Sequence, residues 1–130
     1  MTKTDGGGDL GAGALGAPGA LGRADGLTAA FELLRYGRLT DETVRPLLSR
    51  RELASLGAYR PAERAAAIVA AKRAVARLFA GLDPRDVEVL RREHRAPRVL
   101  VLGADPGLEV SLSHCDGLAA AAVLSARRPN

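Results

Sequence analysis

The sequence of 130 residues predicts one α+β domain, in which N-terminal helices, including one long helix, pack on a small antiparallel sheet. Two patterns predict this class. Between residues 27 and 80 the apolar residues recur at helical spacing, and after Pro84 the period of the pattern changes to two. Helices that are followed by adjacent strands favour an α+β arrangement over alternating strands and helices.

The first 26 residues differ in composition from the rest of the chain. They hold 9 of the 15 glycines and show neither a helical nor a strand period. Because glycine loses much conformational entropy on ordering, we expect residues 1–26 to form a disordered tail and residues 27–130 to form the domain. The alternative is an edge strand around Gly8-Asp9-Leu10.

The first helix is predicted directly after this tail. Leu27, Ala30, Phe31 and Leu34 recur at helical spacing, and Gly37 suits the C-terminal cap.

Two short helices are predicted next. Asp41 and Glu42 suit the first turn of one, and Pro46 keeps it short. Ser49 and Glu52 have the spacing of a capping box, in which each side chain bonds the other residue's backbone N–H.

The segment from Pro61 to Ala80 predicts the longest helix, which Gly81 ends. Arg73 and Arg77 lie four residues apart on it, so their guanidinium groups are adjacent and face solvent or a cleft. With Lys72, these residues form either a solvated basic face or an anion site.

Strands are predicted after Pro84, and their boundaries follow the period of two. They cover residues 87–89, 99–102, 110–113 and 119–124. Asp116-Gly117 suits the tip of a tight hairpin between the last two.

The composition argues against several classes of protein. A net charge of +4 with two Tyr and two Phe is weak for a nucleic-acid binder, and a single cysteine excludes an internal disulfide. The chain has no apolar run of membrane-spanning length, and the acidic residues among the N-terminal glycines are unlike a signal peptide, so we expect a cytoplasmic protein that does not bind membranes. Its alanines bury little area each, which favours a homo-oligomer.

One strand carries a group of chemically active side chains. Ser111 and Ser113 alternate with Val110 and Leu112, so both hydroxyls lie on one face, and His114 follows at the strand end. Hydroxyls beside an imidazole suit a phosphate site or a nucleophile with its base. An ordinary hydrogen-bonded strand end is the alternative.

Several stretches together resemble a known family. VAAKRAVARLF is similar to the long-helix motif (F)AAKEAxxKA, and EVLRREHRAPRVLVL to a strand pair around a G-K/A-P turn. EVSLSHCDGLAAAAVL is similar to a closing V-S-[IL]-S-H-x-x-x-x-A-x-A-x-V strand pair, and LLSRREL to L-T-x-x-E-L. In order and spacing, these motifs resemble the 4′-phosphopantetheinyl transferase superfamily in its short holo-acyl-carrier-protein-synthase form.

The resemblance implies transfer of the phosphopantetheine arm of coenzyme A to a serine of an acyl carrier protein, commonly by a trimer with sites between subunits. It also implies Mg²⁺, held by an Asp of a first-strand G-x-D motif and by the Glu of K-E-A. Carboxylate oxygens suit this hard cation, which stabilises charge on the transferring phosphoryl group.

Carried over residue by residue, the resemblance assigns contacts with coenzyme A to Lys72, Pro97, Ser111, Ser113 and His114.

The metal site of this sequence departs from the family pattern. Arg73 stands where the metal-binding Glu is expected, and Arg77 where an active-site Lys is expected. Asp9 is the candidate for the first-strand Asp. This argues against Mg²⁺ binding, and from this departure we expect Arg73 and Arg77 to be catalytic residues, as a clamp that neutralises a diphosphate directly.

Three functions remain open from the sequence. One is a divergent transferase that still acts on a carrier protein. Another is an accessory module that binds coenzyme A or an acyl carrier protein. The third is a scaffold repurposed in polyketide metabolism for a metal-independent reaction such as cyclisation or dehydration, with His114 as the acid or base and Ser113 and Asp116 as helpers.

Overall fold

Strands from distant parts of the chain build the main sheet. The computed structural model describes residues 20–24, 27–35, 41–57, 61–92, 95–115 and 117–126. The strands within these ranges are β1 (Ala20–Ala24), β2 (Leu27–Arg35), β3 (Val87–Arg92), β4 (Arg95–Val101), β5 (Glu109–Cys115) and β6 (Leu118–Ala126). An antiparallel sheet has the order β1-β2-β6-β5, and β3 pairs with β4 in a separate antiparallel hairpin.

The helices form where the sequence predicts the two short ones and the long one. They are α1 (Asp41–Val44), which continues as a 3₁₀ turn over Arg45–Leu47, α2 (Arg50–Ser55) and α3 (Pro61–Leu78). The capping box of α2 is confirmed. Ser49 Oγ accepts from the Glu52 N–H at 3.1 Å, and Glu52 Oε1 accepts from the Ser49 N–H at 2.8 Å.

Helix α3 covers one face of the main sheet. Its buried side is mostly alanine, and the larger buried side chains are Ile68, Val69 and Val75. The buried alanines are Ala65 to Ala67, Ala70, Ala71 and Ala74. Small side chains let the helix lie close to β2 and β6, but each buries little apolar area. Gly81, with φ +80°, takes the left-handed conformation that follows the helix end.

The prediction of a helix from Leu27 to Leu34 is wrong, because this segment is strand β2. Ala30 and Leu34 lie four residues apart, a spacing that fits one face of a helix and one face of a strand equally well. In the strand they share the buried face with Thr28 and Glu32, while Phe31 is exposed. Nine residue pairs with β6 fix the strand, and this long-range pairing overrides the local pattern.

Strand β1 lies inside the segment predicted to be a disordered tail. The prediction is therefore wrong for Ala20–Ala24, which pair antiparallel with β2. The glycine content misled the prediction, because a strand beside an existing neighbour gains backbone hydrogen bonds that composition does not reveal. Residues 1–19, with Asp9 and the alternative edge strand around it, lie outside the described residues.

The α+β class is confirmed, with two differences from the predicted layout. A pair of strands precedes the helices, and the strands form two sheets where one was predicted. The last two strands form the expected hairpin, in which Cys115 pairs with Leu118. In the part of the chain that the structure describes, no helix has the length and apolar character needed to cross a membrane.

Candidate functional site

A cavity of about 520 Å³ opens between the β3–β4 hairpin and strand β5, and we call it the hairpin pocket. The hairpin supplies three arginines and a short apolar segment, and β5 supplies both serines and the histidine. The lining residues are Arg91, Arg92, Arg95, Ala96, Pro97 and residues 110–114. The pocket therefore unites four sequence-predicted site residues, Pro97, Ser111, Ser113 and His114.

The arginines of the hairpin pocket have no acidic partner among the residues that the structure describes. Within the described ranges, Arg91 and Arg95 form no ion pair, and Arg92 Nε donates to the carbonyl oxygen of Ala96 at 3.0 Å. Burial lowers the pKa of the Arg91 guanidinium, and the charge of Arg64 lowers it further. Repulsion between cations without a counter-charge is relieved by an anion, so this pocket suits a phosphate group.

Strand β5 places Ser111 and Ser113 on one face, as the alternation predicts, and His114 on the other face with Val110, and all of them line the pocket. Val110 is buried on the helix side, whereas Ser111 and Ser113 are exposed. His114 Nδ1 lies 2.8 Å from Glu63 Oε2 at the start of α3. Nδ1 is buried and has no hydrogen bond of good alignment, so the contact with Glu63 is electrostatic in this conformation.

Lys72, predicted to contact coenzyme A, is 1% exposed and lies away from the hairpin pocket. Its Nζ donates to Glu52 Oε1 at 2.6 Å, and Glu52 Oε2 accepts from the backbone N–H of Val89 at 2.7 Å. The pair thus ties α3 to α2 and β3 in the interior. A lysine held in this way has a structural role, so its position does not support the predicted ligand contact.

Arg73 and Arg77 lie together on α3, as predicted, but they face neither solvent alone nor the hairpin pocket. Both reach Glu32 on β2, which is 1% exposed. Arg77 Nε donates to Glu32 Oε2, and Arg73 Nε lies 3.6 Å from Oε1. Glu32 therefore offsets one of the two positive charges, so the pair supports the predicted clamp on a ligand diphosphate less than two unopposed arginines would.

Glu32 is the residue that the sequence analysis missed. A lone carboxylate between apolar neighbours, in the segment Phe31–Leu34, was the available signal. A helix over this segment does not predict that Glu32 is buried, whereas the observed strand places it on the face that α3 covers.

The described residues do not fit a magnesium ion beside Arg73. Glu32 Oε1 accepts no hydrogen bond, a feature that suits a cation, but two guanidinium groups flank the same carboxylate. Two unit charges ~4 Å apart repel by about 4 kcal/mol at an effective dielectric near ~20. No cluster of three His, Cys, Asp or Glu side chains that could hold a metal occurs in the described ranges.

The fold is similar to solved holo-acyl-carrier-protein synthases. The enzyme of Helicobacter pylori, solved in complex with coenzyme A, matches with a TM-score of 0.61 and 18% identity over 73% of this chain and 96% of that chain. The Thermotoga maritima enzyme matches with a TM-score of 0.61 and 27% identity, over 77% of this chain and 63% of that chain. The acyl carrier protein synthase of Mycobacterium tuberculosis matches with a TM-score of 0.58 and 26% identity, over 75% and 96%.

Comparisons of sequence alone give no match. No protein-family model matches the chain, and no curated protein is significantly similar to it.

Proposed function

We propose that this chain, whose fold is that of the short holo-acyl-carrier-protein synthases in the 4′-phosphopantetheinyl transferase superfamily, binds coenzyme A in the hairpin pocket. We further propose that it acts as an accessory module for an acyl carrier protein and does not transfer the phosphopantetheine arm with a magnesium ion. The single observation that carries the proposal is the set of pocket arginines that have no acidic partner in the described part of the chain.

The chemistry of coenzyme A matches the lining of the pocket. Its phosphate groups are acceptors for guanidinium donors, and Arg91, Arg92 and Arg95 bring three of these together. Ser111 and Ser113 add hydroxyl donors from the opposite wall. The related Helicobacter pylori enzyme was solved with this ligand, which supports the choice among phosphate-bearing molecules.

The charges around Glu32 support a function without a magnesium-dependent step. Arg73 and Arg77 give this carboxylate two cationic partners, so it is not available to hold a divalent ion. A transferase that needs such an ion therefore has no place for it among the described residues.

A repurposed scaffold is the second candidate, and the Glu63–His114 contact favours it. A carboxylate beside one ring nitrogen fixes the imidazole, which can then act as an acid or a base at the other nitrogen. Ser113 lies in the same pocket, and Asp116 lies outside the described residues. Under this proposal His114→Ala abolishes a metal-independent reaction on a carrier-bound or released polyketide, while coenzyme A is not consumed.

We also propose that a further copy of the chain covers the sheet face opposite α3, with a trimer as the assembly. Large apolar side chains lie exposed on this face, where Phe31 is 46% and Leu124 is 44% accessible. Phe31 pairs with Ala122, which pairs with Ser111, so a row of small residues continues from it across the sheet. Analytical ultracentrifugation of Phe31→Asp should show a smaller species than the wild type.

The test of coenzyme A binding uses a double variant and a matched control. Arg91→Met with Arg95→Met removes two unpaired guanidinium groups, and calorimetric titration should show at least about a hundredfold loss of affinity, or roughly tenfold per arginine. Arg85→Met changes an exposed arginine that pairs with Asp83, and it should leave the affinity unchanged. Equal affinity in the double variant and the wild type would overturn the pocket assignment.

A second arm tests the transfer step and the carrier. Apo-carrier protein incubated with coenzyme A and the purified chain should keep its mass, and it should bind the chain less tightly as salt increases. A mass gain equal to the phosphopantetheine arm, seen with Mg²⁺ and lost in EDTA, would show a working transferase and contradict the proposal.

A further inference from the structure

The contact between Glu63 on α3 and His114 on β5 adds an imidazole with an acidic neighbour to the arginines of the hairpin pocket. Glu63 and His114 side chains are each largely buried, with 21% and 29% exposure, and their closest polar atoms are 2.8 Å apart. We propose that Glu63 is a positioning residue for His114 and that binding of a phosphate group in the hairpin pocket is coupled to uptake of one proton by His114. This inference rests on the proposed binding of coenzyme A.

The position of the buried nitrogen fixes where the first proton of the ring resides. A proton on Nδ1 is attracted by the carboxylate oxygen 2.8 Å away, whereas a lone pair there is repelled by it, and this electrostatic preference does not need the alignment of a hydrogen bond. The carboxylate therefore holds the neutral ring in the tautomer that carries its proton on Nδ1. Because Nδ1 is buried and His114 lines the pocket, we infer that Nε2 is the ring nitrogen that serves as an acceptor there.

Beside a phosphate group, Nε2 must be a hydrogen-bond donor and not an acceptor. Phosphate oxygens at neutral pH are acceptors, so an acceptor nitrogen beside them is unfavourable. A proton taken up from solvent onto Nε2 turns it into a donor, and the resulting imidazolium lies between the ligand phosphate and Glu63. No bond to carbon or phosphorus changes in this step, since the proton comes from the buffer.

The other charges around His114 explain why the uptake follows the ligand. Cations face it from the hairpin and an anion from α3, while Ala119 opposite it on β6 is uncharged. The charged groups around the pocket are Arg91 and Arg92 on β3, Arg95 on β4, and Glu63 with Arg64 on α3, and the neighbours on β5 are Ser113 and Cys115. A bound phosphate adds negative charge beside the ring, which favours its positively charged form.

The experiment measures protons directly. Coenzyme A is titrated calorimetrically into the full chain at pH 7.5, in buffers of different ionisation enthalpy, so that the heat reports the number of protons taken up. A phosphate monoester is already mainly dianionic at this pH, because its second ionisation lies near ~6. The wild type should take up between zero and one proton, and its affinity should fall by up to about tenfold per pH unit between pH 7.0 and 8.5.

Two variants separate positioning from folding. Glu63→Gln keeps the size of the side chain but not its charge, and it should weaken binding at pH 7.0 and reduce both the proton uptake and the pH dependence. His114→Asn should abolish both while Glu63 remains in place. Circular dichroism and thermal unfolding identify variants that fail to fold, and either folded variant is sufficient for the test.

The outcomes separate this inference from the proposed function. Coenzyme A binding by the wild type with no proton uptake, or with the same uptake in both variants, would overturn the coupling and leave the pocket assignment intact. No binding of coenzyme A at any of these pH values would overturn both.

Discussion

Helix α3 and the β3–β4 hairpin both carry arginines, and the two groups differ in whether an acidic side chain lies beside them. Arg73 and Arg77 share the buried carboxylate of Glu32, whereas Arg91 and Arg95 have no acidic partner in the described ranges. The helix pair shares one carboxylate, which offsets one of its two positive charges and weakens its attraction for an anionic ligand. The hairpin arginines keep their full attraction for an anionic ligand. The partner of each arginine therefore decides its role more than the motif in which it lies.

Helix α3 takes part in a second internal ion pair, Lys72 with Glu52, and removing it should give the largest loss of stability among these variants. Lys72→Met removes the cation that balances Glu52 in the interior, and breaking a buried pair from one side costs about 3–5 kcal/mol. Urea unfolding measures this loss. Arg85→Met, at an exposed pair, should leave the unfolding midpoint unchanged, and a similar midpoint for Lys72→Met would contradict the structural role of Lys72.

The next effect concerns the carboxylate that the helix arginines share. Glu32→Gln leaves two guanidinium groups facing a neutral amide, and we expect a loss of about 2 kcal/mol in the free energy of unfolding. Binding of coenzyme A by the folded variant should not change, because Glu32 lies outside the hairpin pocket. Glu109→Gln, on an exposed position of β5, is the control for stability. A large loss of ligand affinity in Glu32→Gln alone would break the comparison.

The smallest effect is expected at a surface pair that joins α2 to β3. Hydrogen bonds from Arg51 hold the pKa of Glu88 below its ordinary value, with a further contribution from the Ser49 hydroxyl. A lowered pKa in the native state stabilises the fold above the ordinary value of 4.5, and this stability is lost as the pH falls through the native pKa.

Glu88→Gln should therefore be slightly less stable than the wild type at pH 7, and the two should converge in acid. Denaturant unfolding at pH 7 and near pH ~3 measures the difference, which is a small one for a surface pair. A difference in the free energy of unfolding that increases as the pH falls would contradict the lowered pKa of Glu88.

Local signals explain the elements that were predicted correctly. Pro61 and Gly81 mark the ends of α3, the Ser49–Glu52 capping box marks the start of α2, and the period of two marks the strands after Pro84. These features act over a few residues, so the sequence displays them directly. The pocket wall on β5 was predicted for the same reason, because strand alternation places Ser111 and Ser113 on one face.

Long-range pairing explains what the sequence did not reveal. The spacing of Ala30 and Leu34 fits a helix as well as a strand, and only the partner β6 decides between them. Likewise, Lys72 is visible as a cation in the sequence, but its pairing with Glu52, twenty residues away, depends on how α2 packs. The motif resemblance names positions along the chain without stating which of them are buried.

The measurement that tests the central claim most directly is a calorimetric titration of the wild-type chain with coenzyme A, once with Mg²⁺ and once with EDTA. The hairpin arginines, which have no acidic partner among the described residues, predict equal affinity for coenzyme A with Mg²⁺ and with EDTA. No cluster of described side chains near Arg73 could hold the magnesium ion. Binding that needs Mg²⁺ would contradict the account and show that a metal site exists despite Arg73 and Arg77.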